Sequence, residues 1–200
     1  MYNLDREEDR KQAEGIFREA NWLTQMVENI LSLTKIAEGR LILHKQTEAV
    51  EEIIAEAVKH AKKIAGGRNI ITDIPDDVLF VPMDGKLILQ VLINLIDNAI
   101  KHTEQDGTIT IQVNQISGRV WFSVSDNGTG ISQADFPHLF EPFFAARGAV
   151  RSSKSGAGLG LSIVKAIVQA HSGRIFAENN ESCGAVFKFY LPLKEQTEKT

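Results

Sequence analysis

The 200-residue sequence predicts an α+β fold, a two-layer α/β sandwich in which a mixed sheet is covered on one face by about three helices and preceded by a long N-terminal helix. Three observations lead there. Helical and strand-like segments are mixed without the strict β-α-β alternation of a doubly wound sheet. Several strand candidates adjoin across short turns, as antiparallel neighbours do. A hydrophobic share of 43% and a charged share of 24% are those of an ordinary globular chain, enough for one good domain plus an appendage.

Residues Asp5 to Ala37 hold no Pro and a single Gly, Gly15. Their apolar positions Ala13, Ile16, Ala20, Leu23, Val27 and Ile30 step by three and four, which is heptad spacing. Such a helix would run about 50 Å, so it either packs on partner helices or folds back along its own domain. Leu41 to Leu43 is then a short strand candidate, and Thr47 to Ile64 reads as a helix from its stripe Val50, Ile53, Ile54, Ala57, Val58, Ala61, ended by Gly66-Gly67. Asn69 to Ile74 and Val78 to Val81 read as strands around the turn Pro75-Asp76-Asp77. Asp84 to Lys101 is a second helix, with Asp84 placed to cap it. Thr108 to Val113 and Val120 to Val124 are strands joined through Ser117-Gly118. The stretch from Asp126 to Gly156 lacks periodicity and is too long for an idle connection. A third helix, Leu159 to His171, precedes strands at Arg174 to Ala177 and Ala185 to Leu191.

Several function classes drop out. With 22 basic against 26 acidic residues and no dense basic patch, phosphate neutralisation on nucleic acid is not expected. Asp97 and Lys101 interrupt the greasiest stretch, so no membrane contact by this segment is expected. Cys183 is the only cysteine, which excludes an intrachain disulfide or a cysteine-built zinc site, and a reducing, cytoplasmic setting is expected. No Gly-x-x-x-x-Gly-Lys-Ser/Thr occurs, so a P-loop is excluded, as are the signature elements of eukaryotic-type protein kinases.

Three clusters carry chemistry. Asn94, Asn98 and Lys101, with His102 beside them, share one face of an otherwise apolar helix. Carboxamides there are costly unless something polar lies opposite, and an Asn oxygen is a hard ligand suited to Mg²⁺ bound alongside phosphates; side chains emerging into water are the bland alternative. Asp126-Asn127-Gly128-Thr129-Gly130 could be a plain turn, but Asp126 closes an apolar strand, where a semi-buried carboxylate needs a donor such as an adenine amino group. Gly128 and Gly130 would let backbone approach that base. Gly156-Ala157-Gly158-Leu159-Gly160-Leu161 runs into a helix start, whose exposed N–H groups suit an anion.

The order Asn94-Leu95-Ile96-Asp97-Asn98-Ala99-Ile100-Lys101-His102, Asp126-Asn127-Gly128-Thr129-Gly130-Ile131, Phe140-Glu141-Pro142-Phe143-Phe144 and Gly156 to Leu161 resembles the N, G1, F and G2 boxes of sensor histidine kinases, which share an ATP-binding sandwich with DNA gyrase and Hsp90. Trp22 to Asn29 and Val81-Pro82-Met83-Asp84 look most like the Kdp-type, potassium-responsive members. The resemblance implies that residues 1–39 hold the second helix of a dimerisation and phosphoacceptor domain whose first helix is missing, that residues 40–193 form the ATP-binding catalytic domain, and that 194–200 are a frayed tail. It implies ATP and Mg²⁺, with Asn98 as metal ligand, Asn94, Lys101 and His102 toward the phosphates, and Asp126 on the adenine amino group. Gly128, Gly130 and Ile131 would line the base, Gly156, Gly158, Leu159, Gly160 and Leu161 would cradle phosphate, and Phe140 with the stretch to Ser155 would form a lid offering Arg147, Arg151 or Lys154. The implied partners are a response regulator and, through the helical domain, a second copy of the full-length kinase.

Two departures from the family pattern matter. Gly184-Ala185-Val186-Phe187 stands where Gly-Thr-x-Phe is usual, which removes a hydroxyl from the adenine site. No histidine precedes His44, so the phosphoacceptor motif is absent and the chain is expected not to phosphorylate itself. The competing expectations are a nucleotide-binding or dimerisation module without kinase activity, and a slow ATPase, slow because Asn94 occupies the position of the water-activating Glu in the gyrase and Hsp90 type.

Overall fold

The computed structural model describes residues 42–144, 158–181 and 183–193, together with scattered residues between 9 and 34. Its elements follow in the order β1 (Gln46–Ala49), α1 (Val50–Ile64), β2 (Asn69–Asp73), β3 (Phe80–Met83), α2 (Gly85–His102), β4 (Thr108–Ile116), β5 (Arg119–Asp126), a 3₁₀ turn (Phe136–His138), α3 (Gly160–Ala170), β6 (Arg174–Asn179) and β7 (Ala185–Pro192). A five-stranded sheet has the order β2-β4-β5-β7-β6, parallel only between β2 and β4, and β1 and β3 form a separate antiparallel pair. This is the mixed two-layer sandwich the sequence predicts.

Alternation in the sheet sets which side meets the helices. Ile109, Ile111 and Val113 of β4, Val120, Phe122 and Val124 of β5, and Phe187, Phe189 and Leu191 of β7 are buried and meet the apolar stripes of the three helices. Phe122 and Phe189 stack at 4.8 Å between centroids, so cutting Phe122 to Ala would cost about 3–5 kcal/mol. Trp121, Phe176 and Tyr190 stack on the opposite face, with the Arg119 guanidinium 4.3 Å from the Tyr190 ring centre.

Helix α2 lies at the centre. Asp84 caps it as predicted: Leu87 N–H donates to Oδ1 at 3.2 Å, and Oδ2 accepts from His44 N–H at 3.1 Å. Ile88, Val91, Leu92, Leu95, Ile96 and Ala99 bury its apolar side. At its other end Arg68 donates through Nε and Nη2 to the Thr103 carbonyl, at 3.0 and 2.6 Å, quenching acceptors that a helix terminus leaves open.

Three expectations are corrected. Of the expected first strand Leu41 to Leu43, Leu41 lies outside the described residues, and residues 42–45 have no regular structure, with Ile42 75% exposed. The strand is Gln46–Ala49, which pairs with Phe80–Met83 from Gln46↔Met83 to Ala49↔Phe80. That pairing takes Thr47 to Ala49 out of α1, which begins at Val50, and it moves the predicted Val78–Val81 strand two residues along. Backbone pairing with a distant segment overrides the local helical pattern. Residues described between Asp9 and Thr34 are individually helical, and Ile16, Phe17, Leu23, Val27 and Leu31 are all more than half exposed; the bounds of the predicted N-terminal helix and the 194–200 tail lie outside the described residues.

Candidate functional site

Asn94 reaches α3 from the middle of α2. An added Cβ at Gly160 would lie 3.3 Å from Asn94 Oδ1, so the first residue of α3 and this carboxamide are in near contact. The Asn94 Nδ2 is buried and has no partner among the described residues. A buried donor left so costs about 1–3 kcal/mol unless a ligand or water satisfies it. Among the described residues no side chain caps α3, and Ser162 Oγ turns back to Leu159 O at 2.8 Å. An uncapped helix start beside such an amide is chemically suited to an anion. Asn98, one turn along α2, is half-buried, and Lys101 and His102 are exposed in the last turn. Asp97 faces elsewhere: its Oδ1 meets His60 Nε2 of α1 at 3.0 Å.

The C-terminal end of α2 holds the loop after β5. Thr129 N–H donates to the His102 carbonyl at 3.4 Å, and an added Cβ at Gly128 would overlap that same carbonyl. The space that a Gly128 side chain would need is filled by the protein's own backbone at His102, so the position requires glycine for that close approach. Gly130 sits at φ +71°, with its missing Cβ 3.1 Å from Asn179 Oδ1. Asp126 is 4% exposed. Its Oδ1 accepts from Gly128 N–H at 2.9 Å and Ala185 N–H at 3.3 Å, and no described residue donates to Oδ2. One oxygen is fixed by the backbone and the other is left for a donor from outside.

About 12 Å of α2 separates Asn94 from His102, so one rigid helix spaces the anion cradle from the carboxylate loop. The F and G2 clusters also meet. Gly158, at φ +70°, packs on the Phe143–Phe144 backbone, where an added Cβ would come 2.8 Å from the Phe143 carbonyl carbon. Phe140 and Ile131 are half-buried against the core, Leu161 likewise, and Leu159 is 1% exposed. Arg147, Arg151, Lys154 and Gly156 lie outside the described residues.

His171 and His138 are explained without chemistry. His171 is buried; its Nδ1 donates to Ile167 O at 2.8 Å and its Nε2 accepts from Asp84 N–H at 3.0 Å, which fixes the neutral tautomer. Burial holds its pKa below 6.5. His138 pairs with Glu141 at 3.0 Å.

Sequence reasoning missed Asn179 and Asn180. Asn179 accepts from Ile131 N–H at 2.7 Å and donates to Ile131 O at 2.8 Å, and Asn180 Nδ2 donates to Asp126 O at 2.7 Å. Their only sequence signal was polarity at a strand end. Cys183, whose Sγ lies 3.5 Å from Asn127 O, is exposed in the same turn.

The family described as histidine kinase-, DNA gyrase B-, and HSP90-like ATPase matches residues 83–195. The sensor protein KdpD of Clostridium acetobutylicum is 44% identical over 188 residues, 93% of this chain and 21% of that protein, so the chain spans about a fifth of its relative. Full-length ShkA, solved in complex with AMPPNP, superposes with a TM-score of 0.78 at 25% identity, covering 92% of this chain and 39% of that one. ThkA, solved with the response regulator protein TrrA, gives a TM-score of 0.65 at 28% identity, covering 86% and 49%.

Proposed function

Because the chain belongs to the histidine kinase-, DNA gyrase B- and HSP90-like ATPase family, with sensor histidine kinases among its relatives, we propose that it is the ATP-binding catalytic part of such a kinase. In this reading it transfers the γ-phosphoryl group to a histidine on the helical dimerisation domain, for relay to a response regulator. One observation carries it: α2 places an orphaned buried amide beside an uncapped helix start at one point, and a buried carboxylate with one oxygen open at another.

The residues present fit Mg²⁺ and ATP. Asp126 Oδ2 accepts from the adenine amino group while Oδ1 stays on the backbone; Gly130 and Ile131 border the base. Asn94 Nδ2 and the N–H groups from Gly158 to Leu161 hold phosphate oxygens. Lys101 and His102 add positive charge, and Asn98 offers a hard oxygen to the metal. Bound Mg²⁺ would supply charge neutralisation on the transferring phosphoryl group. What the chain itself does is position and stabilise electrostatically, because position 94 is an amide and Asp97 is committed to His60. Hydrolysis by water is therefore slow. The exposed seam of Ile16, Leu23 and Val27 supports a helical domain completed by further helices and a second copy. The first 39 residues belong to that domain and the catalytic domain spans 40–193, in the cytoplasmic portion of a membrane-anchored kinase. No described helix is long and apolar enough to cross a membrane.

Calorimetry tests the binding step. ATP should bind with Mg²⁺, and more weakly after chelation or in Asn98→Ala; no binding at about 1 mM ATP, a free energy of only about −4 kcal/mol, would contradict the proposal.

A further inference from the structure

We propose that Asn179 and Asn180 are positioning residues for base recognition, a clamp that holds the Asp126 carboxylate in place; this rests on the reading of Asp126 given above. The two residues stand where β6 ends and the turn to β7 begins. The Asn179 carboxamide bonds both backbone groups of Ile131, accepting from N–H at 2.7 Å and donating to the carbonyl at 2.8 Å. A side-chain amide used in this way reproduces the two-bond pairing that a neighbouring strand would give. Asn180 donates from Nδ2 to the Asp126 carbonyl at 2.7 Å, and its own N–H is tied to Gly184 O at 2.9 Å. Consecutive residues thus grip the first and the last residue of the 126–131 loop.

There is no slack in the grip. An added Cβ at Gly184 would overlap the Asp126 carbonyl, and one at Gly130 would press on Asn179 Oδ1 at 3.1 Å. On the opposite side the His102 carbonyl receives Thr129 N–H at 3.4 Å and crowds Gly128. The loop is therefore seated between the end of α2 and the β6–β7 turn, and the turn side depends on two carboxamides. A hydrogen bond to the base weakens steeply with misalignment, so support of this kind decides selectivity as much as affinity.

The expected signature is specific to the base. Inosine triphosphate carries a carbonyl where adenine has its amino group, so it lacks the amino-group bond to Asp126. Calorimetric titration of the whole chain with ATP and with inosine triphosphate, in Mg²⁺, should show the wild type preferring ATP. In Asn179→Ala and, separately, in Asn180→Ala, that preference should fall by about threefold to tenfold, the worth of one or two ordinary hydrogen bonds, with binding of inosine triphosphate nearly unchanged. If both variants keep the wild-type preference, or weaken both nucleotides alike, the clamp is wrong and the Asp126 reading stands. A wild type that does not prefer ATP overturns the Asp126 reading and the clamp with it.

Discussion

Asp126→Asn is the sharpest perturbation of the site because the structure dictates how the amide must sit. Oδ1 receives two backbone N–H groups, from Gly128 at 2.9 Å and Ala185 at 3.3 Å. In the variant the amide oxygen stays on those donors, since turning the NH₂ toward them would oppose donor to donor twice. The NH₂ is thereby forced into the place of Oδ2, where it meets the adenine amino group donor to donor. One charge-assisted bond is lost, worth about 1.5–3 kcal/mol, so ATP affinity should drop about ten- to a hundredfold. The fold should be little disturbed, because both backbone bonds to position 126 survive, and the melting temperature serves as the control. The same NH₂ can donate to the carbonyl of inosine, so the variant should prefer inosine triphosphate to ATP. Calorimetry with both nucleotides reads each number. Equal ATP affinity in wild type and variant, with melting unchanged, would refute the assignment of Asp126 to the base.

Gly128→Ala drives a methyl group into the His102 carbonyl, so the 126–131 loop must shift; a loss of about 1–3 kcal/mol in stability together with weakened ATP binding is expected, and a variant that melts and binds like the wild type would contradict the close approach. Ala185→Thr returns a hydroxyl beside Asp126 and should tighten ATP by as much as about tenfold, one good hydrogen bond; an unchanged dissociation constant in calorimetry would show that the hydroxyl has no role here. His171 is held neutral, with a pKa lowered chiefly by burial. Since the unfolded chain takes up this proton near 6.5 and the folded one only at lower pH, the stability it contributes is complete above 6.5 and is lost as pH falls through the lowered folded value. Melting curves from pH 8 to 5 should show that loss, and His171→Gln should flatten the slope; an equal slope in the variant would count against this account.

What could be read from the sequence was whatever broke a local pattern. Asp126 stood out because a charge closes the alternation Val120, Phe122, Val124, and Asn94 and Asn98 because amides interrupt an apolar helix. Asp84 was legible as a cap because capping is a matter of three residues. What escaped depends on pairing across long separations. Asn179 and Ile131 are 48 apart, Asn180 and Asp126 54 apart, and neither asparagine differs locally from ordinary turn residues. The first strand was misplaced for the same reason, since Gln46–Ala49 is polar and is a strand only because Phe80–Met83 lies against it. Gly128 stood out as a glycine in a turn, and only the fold shows that the end of α2 packs onto it. Arg68 carries no local signal for its role, which is to close the end of α2 through the Thr103 carbonyl 35 residues on.

Phosphoryl transfer tests the central claim most directly. The chain has the Asn94–Gly160 cradle and the Asp126 loop but no histidine before His44. It should be mixed with γ-labelled ATP, Mg²⁺ and a second chain carrying the complementary helix of the dimerisation domain with its acceptor histidine. Label should appear on the added chain as an acid-labile, base-stable phosphoryl group, should depend on Asn98, and should be absent from this chain when it is incubated alone. Acid-labile, base-stable label on this chain by itself, or none on the added helix although ATP binds and the two chains associate, would contradict the account.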